Sequence, residues 1–201
     1  MSGAAVPGLP VLAGDYRNFG ELLLAAGEQF GDREAFVCGG ERLSYTAWAR
    51  SARGLTALLL ERGVRSGDRV AILLPSSTDY AICAAAILLL GGVATGIDPR
   101  LGPREVRAIL ERSSPVLVIT EDEHELPDAG PVVPRLLRSG LAASYRRAGD
   151  RLEVAAVARD APACIVWTSG TTGTSKGAWY DHENLAAAVG TAGEESPRHF
   201  D

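Results

Sequence analysis

The chain has 201 residues, 46% hydrophobic and 22% charged, which suits one large soluble domain or two small ones with an ordinary buried core. Its formal charge of -5 argues against a nucleic-acid binder, which needs a basic face, and reads as a solvated acidic surface. Cys38, Cys83 and Cys164 stand far apart inside apolar runs, without metal-ligand spacing or a disulfide framework, so buried free thiols in a reducing compartment are expected. Residues Met1 to Pro10 carry no basic residue ahead of an apolar core and do not read as a secretory signal. The longest apolar run, Tyr80–Leu90, is about half the roughly 20 residues that a bilayer span takes, so no membrane span and a cytoplasmic location are expected.

Asn18 and Glu21 form a capping-box pattern, and Phe19, Leu22, Leu23, Ala26 and Phe30 recur at helical spacing, so a helix starts there. Ala35–Cys38 and Glu41–Tyr45 flank Gly39-Gly40, which predicts a tight hairpin. Thr46 can cap a second helix that runs to about Arg62 and stops at Gly63. Arg69–Leu74 is a β-rich apolar run closed by Pro75. Ser76 or Ser77 then caps a helix through Leu90, apolar on nearly every side and therefore buried. Gly91-Gly92 breaks that helix and Val93–Ile97 reads as a strand. Gly102 and Pro103 open another helix, with Val106, Ile109 and Leu110 on its inner face, and Val116–Thr120 is a further strand. This alternation predicts an α/β fold with a parallel-rich sheet wrapped by helices. Residues 121–160 show no clear period. The run Glu121-Asp122-Glu123-His124-Glu125 reads as a solvated turn rather than a metal site, and Arg146-Arg147 as surface.

The chemistry concentrates near the end. Ala163–Trp167 is a short apolar strand that feeds into Thr168, Ser169, Gly170, Thr171, Thr172, Gly173, Thr174, Ser175, Lys176 and Gly177, after which Ala178–Tyr180 is again extended. Gly170, Gly173 and Gly177 permit φ > 0 and close approach of main-chain N–H groups to a ligand. Consecutive N–H groups in such turns make an anion-binding concavity, and the hydroxyls can add hydrogen bonds to phosphate oxygens. Lys176 supplies a mobile positive charge suited to a polyphosphate. The spacing is not that of the common P-loop, because Lys176 follows Ser175 and precedes Gly177; a kinase-like ATPase of that type is thereby excluded. A flexible Gly/Ser/Thr linker is the plainer alternative, but a linker needs neither strand flanks nor one placed lysine. Asp181 or His182 can begin a helix containing Leu185. His182 at a helix start is expected to face solvent, and Trp167, Trp179 and Tyr180 are expected to be strand packing. His124 and His199 have no partner at catalytic spacing.

The stretch Trp167 to Gly177, continuing to His182, Asn184 and Leu185, resembles the phosphate-binding signature of the adenylate-forming superfamily, which includes acyl-CoA synthetases, peptide-synthetase adenylation domains and luciferases. Many members carry Pro where this chain has Ser175, a departure that leaves the lysine in register. Three upstream segments resemble family landmarks in the same order: Leu43 to Thr46, Gly63 to Ile72, and Gly91 to Leu101. The wording from Gly91 to Glu105 looks closer to acyl- or aryl-CoA ligases.

The resemblance implies residues 1–17 as a lead-in and 18–201 as an incomplete N-terminal adenylation domain, without the C-terminal part of the family fold. It implies ATP-dependent activation of a carboxylic acid as acyl-adenylate, usually with Mg²⁺, then transfer to a thiol, either coenzyme A or a carrier-protein phosphopantetheine. Thr168, Ser169, Gly170, Thr171, Thr172, Gly173, Thr174 and Lys176 would hold the β- and γ-phosphates. Lys176 is not the family's adenylation lysine, which lies near the end of a longer chain, so no catalytic residue and no metal ligand is assigned here. Segments for adenine, ribose, metal and most of the acid pocket have no counterpart in these residues. The expectation is therefore a portion that does not turn over substrate alone, with the remainder of the fold or a carrier protein as partner. The alternative is a non-catalytic nucleotide-binding or assembly module from the same family. The acid, the acceptor and the oligomeric state are not legible.

Overall fold

The computed structural model describes residue 16 and residues 18–123, 126–127, 133–147, 154–168 and 176–187. Asn18 caps α1 (Phe19–Phe30), its side-chain oxygen accepting the Glu21 N–H at 3.1 Å, as the capping pattern predicts. Strands β1 (Glu34–Cys38) and β2 (Glu41–Ser44) pair as an antiparallel hairpin, turning on Gly39 and Gly40 at φ 57 and 87, angles that L side chains rarely adopt. Helix α2 (Tyr45–Glu61) starts earlier than expected. Ser44 rather than Thr46 is its cap, accepting the Ala47 N–H at 3.2 Å. The reason is tertiary: the α1–β1 turn takes the first donors, Tyr45 N–H bonding the Arg33 carbonyl and Thr46 N–H the Gly31 carbonyl.

The second sheet begins with β3 (Arg69–Leu73), followed by α3 (Thr78–Leu89), which Ser77 caps by accepting the Tyr80 N–H. Next come β4 (Val93–Gly96), α4 (Pro103–Ser113) and β5 (Leu117–Thr120). Gly102 N–H donates to the Glu105 carboxylate at 3.0 Å, so Gly, Pro and Glu open α4 together as the sequence indicates. Residues 121–160 hold elements that sequence periodicity missed: β6 (Arg135–Leu137), one 3-10 turn over Arg138–Gly140, and α5 (Leu141–Tyr145). Strands β7 (Pro162–Thr168) and β8 (Lys176–Asp181) complete the order β6-β5-β3-β4-β7-β8, parallel throughout except for the β7–β8 pair.

Side chains alternate between two cores, as period-two strands require. Val70, Ile72, Leu117 and Ile119 meet Leu23 of α1, Leu55 and Leu59 of α2 and Ile87 and Leu89 of α3 on one face. Ala71, Leu73 and Val118 meet Val106, Ile109 and Leu110 of α4 on the other. Covering both faces makes β3 and β5 apolar at nearly every position. The chain steps from β3 to β4 through α3 on one face, then back past β3 to β5 through α4 on the other. Opposite directions of travel on opposite faces are what a single crossover hand demands.

The missed segment is tied down by charge. Asp79 on α3 accepts from Arg138 Nε and from the Tyr145 hydroxyl, each at 2.7 Å, and Arg138 also bridges Glu121 at 2.8 Å. The Asp122 carboxylate accepts from both the backbone N–H and the hydroxyl of Ser139. Glu121 and Asp122 are thus tethers for the Arg138 turn rather than a freely solvated turn; Glu123 is exposed, and His124 and Glu125 lie outside the described residues. Arg147 bridges Glu61 on the surface. Of the three thiols only Cys83 is buried; Cys38 and Cys164 are half-buried, Cys164 packing against the rim of the main core. Burial pushes the Cys83 and Cys164 thiols up from their ordinary range, which keeps both protonated. No helix among the described residues is long and apolar enough to cross a membrane.

Close contact between α2 and α5 gives a stability test. A Cβ on Gly54 would lie 2.2 Å from the Ser144 carbonyl oxygen, whereas one on Gly140 meets nothing nearer than 3.9 Å. Gly54→Ala is expected to cost about 2 kcal/mol in denaturant unfolding, despite better helix propensity, because backbone must move. Gly140→Ala is expected to be neutral or slightly stabilising.

Candidate functional site

Strand β7 joins the parallel sheet through β4, in the register Ala94 with Cys164 and Thr95 with Ile165. It ends at Thr168, on the same edge where β3 ends at Leu73 and β4 at Gly96. That carboxyl edge is where open α/β sheets collect ligands. Strand β8 then returns antiparallel, and Thr168 and Lys176 are the register pair at the mouth of the intervening loop. The Thr168 hydroxyl donates to the Lys176 carbonyl at 3.3 Å. Both residues are exposed, and among the described residues the Lys176 ammonium has no ion-pair partner. Ser169, Gly170, Thr171, Thr172, Gly173 and Thr174, with Ser175, lie outside the described residues. The structure therefore brings the two ends of the sequence-predicted cradle together.

Gly177 plays a different part from the one expected. It is a strand residue paired with Trp167 and is not among the residues with positive φ. A Cβ there would lie 3.1 Å from the Trp167 ring and from Ile165, so glycine leaves room for the indole. Trp167 is half-buried and donates Nε1–H to the Thr95 hydroxyl at 2.8 Å, while the Arg112 guanidinium sits 5.9 Å from its ring centre. Trp167 is strand packing, as expected. Trp179 and Tyr180 are not: they are 64% and 42% exposed, because β8 is the last strand of the sheet among the described residues and its two faces carry no layer there.

The hairpin exit is built from polar contacts. Asp181 accepts the Asn184 N–H at 2.7 Å, and residues 182–187 are helical, so Asp181 is the cap. His182 does not face solvent. It is 1% exposed, and its Nδ1 accepts the Phe19 N–H at 3.2 Å. Burial holds the imidazole below its ordinary range, with Asp181 opposing weakly, so it is neutral at neutral pH. Its Nε2 is buried without a hydrogen-bond partner among the described residues. Periodicity around a helix start could not have revealed this, since the partner lies 163 residues away. Gly96 is a second residue whose role was missed: a Cβ there would lie 2.3 Å from the Tyr80 hydroxyl, so Tyr80 packs over the end of β4 only because that residue is glycine. A glycine inside a strand run is the available signal.

A cleft of about 380 Å³ lies elsewhere, on the α4 face over the starts of β3, β4 and β7, with Arg69, Arg112, Trp167 and Trp179 among its walls. Among the described residues no group of three or more His, Cys, Asp or Glu side chains could hold a metal ion. His199 lies outside the described residues.

A family model described as "AMP-binding enzyme" matches residues 23–200. The chain belongs to the AMP-binding enzyme family. Among curated relatives, 4-coumarate–CoA ligase-like 9 of Oryza sativa subsp. japonica is 30% identical over 194 residues, which is 89% of this chain and 35% of that protein. Tyrocidine synthase 1 of Brevibacillus parabrevis is 31% identical over 178 residues, covering 85% of this chain and 16% of that one. Among solved structures, the N-terminal domain of FACL13 from Mycobacterium tuberculosis superposes with a TM-score of 0.73 at 28% identity, over 84% of this chain and 45% of that one. The N-terminal subdomain of Klebsiella oxytoca NpsA gives a TM-score of 0.74 at 22% identity, over 87% and 45% respectively, a likeness of fold. The chain thus spans about a third of the rice ligase-like protein and less than half of either solved chain.

The Trp167–Thr95 bond that seats the β7–β8 hairpin can be tested directly. Thr95 is fully buried, so Trp167→Phe leaves its hydroxyl without that donor. A loss of about 2 kcal/mol in denaturant unfolding is expected, combining the unpaired hydroxyl with the lost ring volume.

Proposed function

We propose that this chain is the N-terminal portion of an adenylate-forming acid–thiol ligase, and that the loop between β7 and β8 holds the β- and γ-phosphates of ATP. The observation that carries the reading is the pairing of Thr168 and Lys176 across the hairpin mouth, at the carboxyl edge of the parallel sheet. The donor chemistry fits a polyanion. Lys176 presents an ammonium with no carboxylate partner among the described residues, and the Thr168 hydroxyl, now turned to a neighbouring carbonyl, can turn to a phosphate oxygen instead. The rest of the cradle, Ser169 to Thr174, would add main-chain N–H groups and further hydroxyls.

ATP supplies the adenylyl group that activates a carboxylate, with pyrophosphate leaving. This chain's share is electrostatic and positional. Lys176 offsets negative charge that grows on the departing oxygens. Mg²⁺ would offset charge on the triphosphate, and no residue of this chain is assigned to hold it. The thiol acceptor is coenzyme A or the phosphopantetheine of a carrier protein; relatives named as a CoA ligase-like protein and as a tyrocidine synthase support both. The remainder of the fold is expected to supply adenine, ribose and acid contacts.

Lys176→Ala tests the reading. Lys176 is exposed, so the unfolding midpoint should stay unchanged. Affinity for ATP should fall about tenfold or more, the scale of one charge-assisted bond. Equal affinity in the variant, measured by calorimetric titration, would contradict the assignment.

A further inference from the structure

We propose that His182 is the positioning residue of the β7–β8 hairpin: as a neutral imidazole it clasps the hairpin exit to the N-terminus of α1, and protonation opens the clasp. The clasp stands on its own geometry; its consequence for nucleotide binding rests on the phosphate-loop reading above.

Three segments meet at His182. Its Nδ1 accepts the N–H of Phe19, the first residue of α1 and one of the donors that a helix start leaves without an internal partner. Its own backbone N–H donates to the Ala161 carbonyl at 3.2 Å, and Glu183 N–H donates to the Arg159 carbonyl at 2.9 Å, on the turn that leads into β7. Asn18, the cap of α1, donates to the Ala155 carbonyl at 3.1 Å just upstream of that turn. The start of α1, the approach to β7 and the exit from β8 therefore close on one buried imidazole, 1% exposed.

The position gives the contact leverage. Among the described residues β8 is paired on one side only, to β7. Lys176 stands at one end of this strand and Asp181, next to His182, at the other. Holding the far end fixes the angle at which Lys176 is presented.

The same contact is sensitive to one proton. Accepting from Phe19 at Nδ1 requires the proton to sit on Nε2. A second proton would go on Nδ1, setting two donors against each other at the 3.2 Å now spanned by one hydrogen bond. It would also place a cation at the positive end of α1. The charged residues on the elements around it are Asp181 and Glu183 on its own segment, Arg159 and Asp160 on the turn before β7, and Glu21 in the first turn of α1. Asp181 favours the cation, but removal from water outweighs it, so the neutral form prevails in the folded chain. The unfolded chain takes up the proton first as pH falls below about 6.5, so the clasp contributes fully above that pH and is lost progressively below it.

Two substitutions separate positioning from packing. His182→Asn keeps an oxygen near the place of Nδ1, whereas His182→Gln puts its amide near Nε2. Amide exchange at Phe19, corrected for intrinsic rates, should accelerate about tenfold in His182→Gln and stay near the unsubstituted rate in His182→Asn. ATP affinity by calorimetry should fall and recover in the same order. Should either variant fail to fold, the unsubstituted chain still decides: nitrogen-15 shifts of the imidazole should report the Nε2–H form, and protection of the Phe19 and Gly177 amides should fall together on acidification. An Nδ1–H imidazole, or equal Phe19 protection in the two folded variants, would overturn the clasp. If the unsubstituted chain binds no ATP, the phosphate-loop reading fails while the exchange data still judge His182.

Discussion

The β7–β8 hairpin hangs on a short parallel ladder to β4. Only Ala94 with Cys164 and Thr95 with Ile165 are in register there, so backbone pairing alone leaves the orientation of β7 loosely specified. Side chains supply the remainder. Trp167 reaches from β7 to the buried Thr95 hydroxyl, Gly177 makes room for that indole on β8, and the exit of β8 meets α1 at His182. These contacts hold the two strands that carry Thr168 and Lys176.

The body of the domain is the rigid counterpart. β3 and β5 are buried on both faces, and the helices that cover them alternate faces as the chain reverses direction. Such a sheet brings the ends of several strands to one edge, where a loop can act on a ligand without the core moving. The ion-pair group of Asp79, Arg138, Glu121 and the Tyr145 hydroxyl stiffens another part of the same edge. It joins α3 to the β6 segment, since Asp79 lies in the first turn of α3 and Arg138 directly follows β6.

How much of this was legible in the sequence follows from whether the cause is local. Gly39-Gly40, a cap at Ser76 or Ser77 and the Gly102-Pro103 start act within a few residues, and each was readable, the structure choosing Ser77. The doubly covered strands were readable because burial on two faces leaves a continuous apolar run. β6 was not: it is three residues long with only Leu136 buried, and its place is set by pairing with β5 and by a bridge spanning 59 residues. The choice of Ser44 over Thr46 depends on carbonyls of the preceding turn, and the burial of His182 on a helix start at the other end of the chain. In the candidate site the composition of the loop was readable at once. The roles of Gly177, Trp179 and Tyr180 were not, because a strand's pattern does not say which layers will cover it.

The most direct test of the account is amide shift mapping of the nitrogen-15-labelled chain during ATP addition at neutral pH. The resonances of Thr168, Lys176 and Gly177 should move together, while core positions such as Val70 and Val118 stay still. Saturating shifts confined to Arg69, Arg112 and Trp179, around the cleft on the α4 face, with the hairpin mouth unchanged, would contradict it.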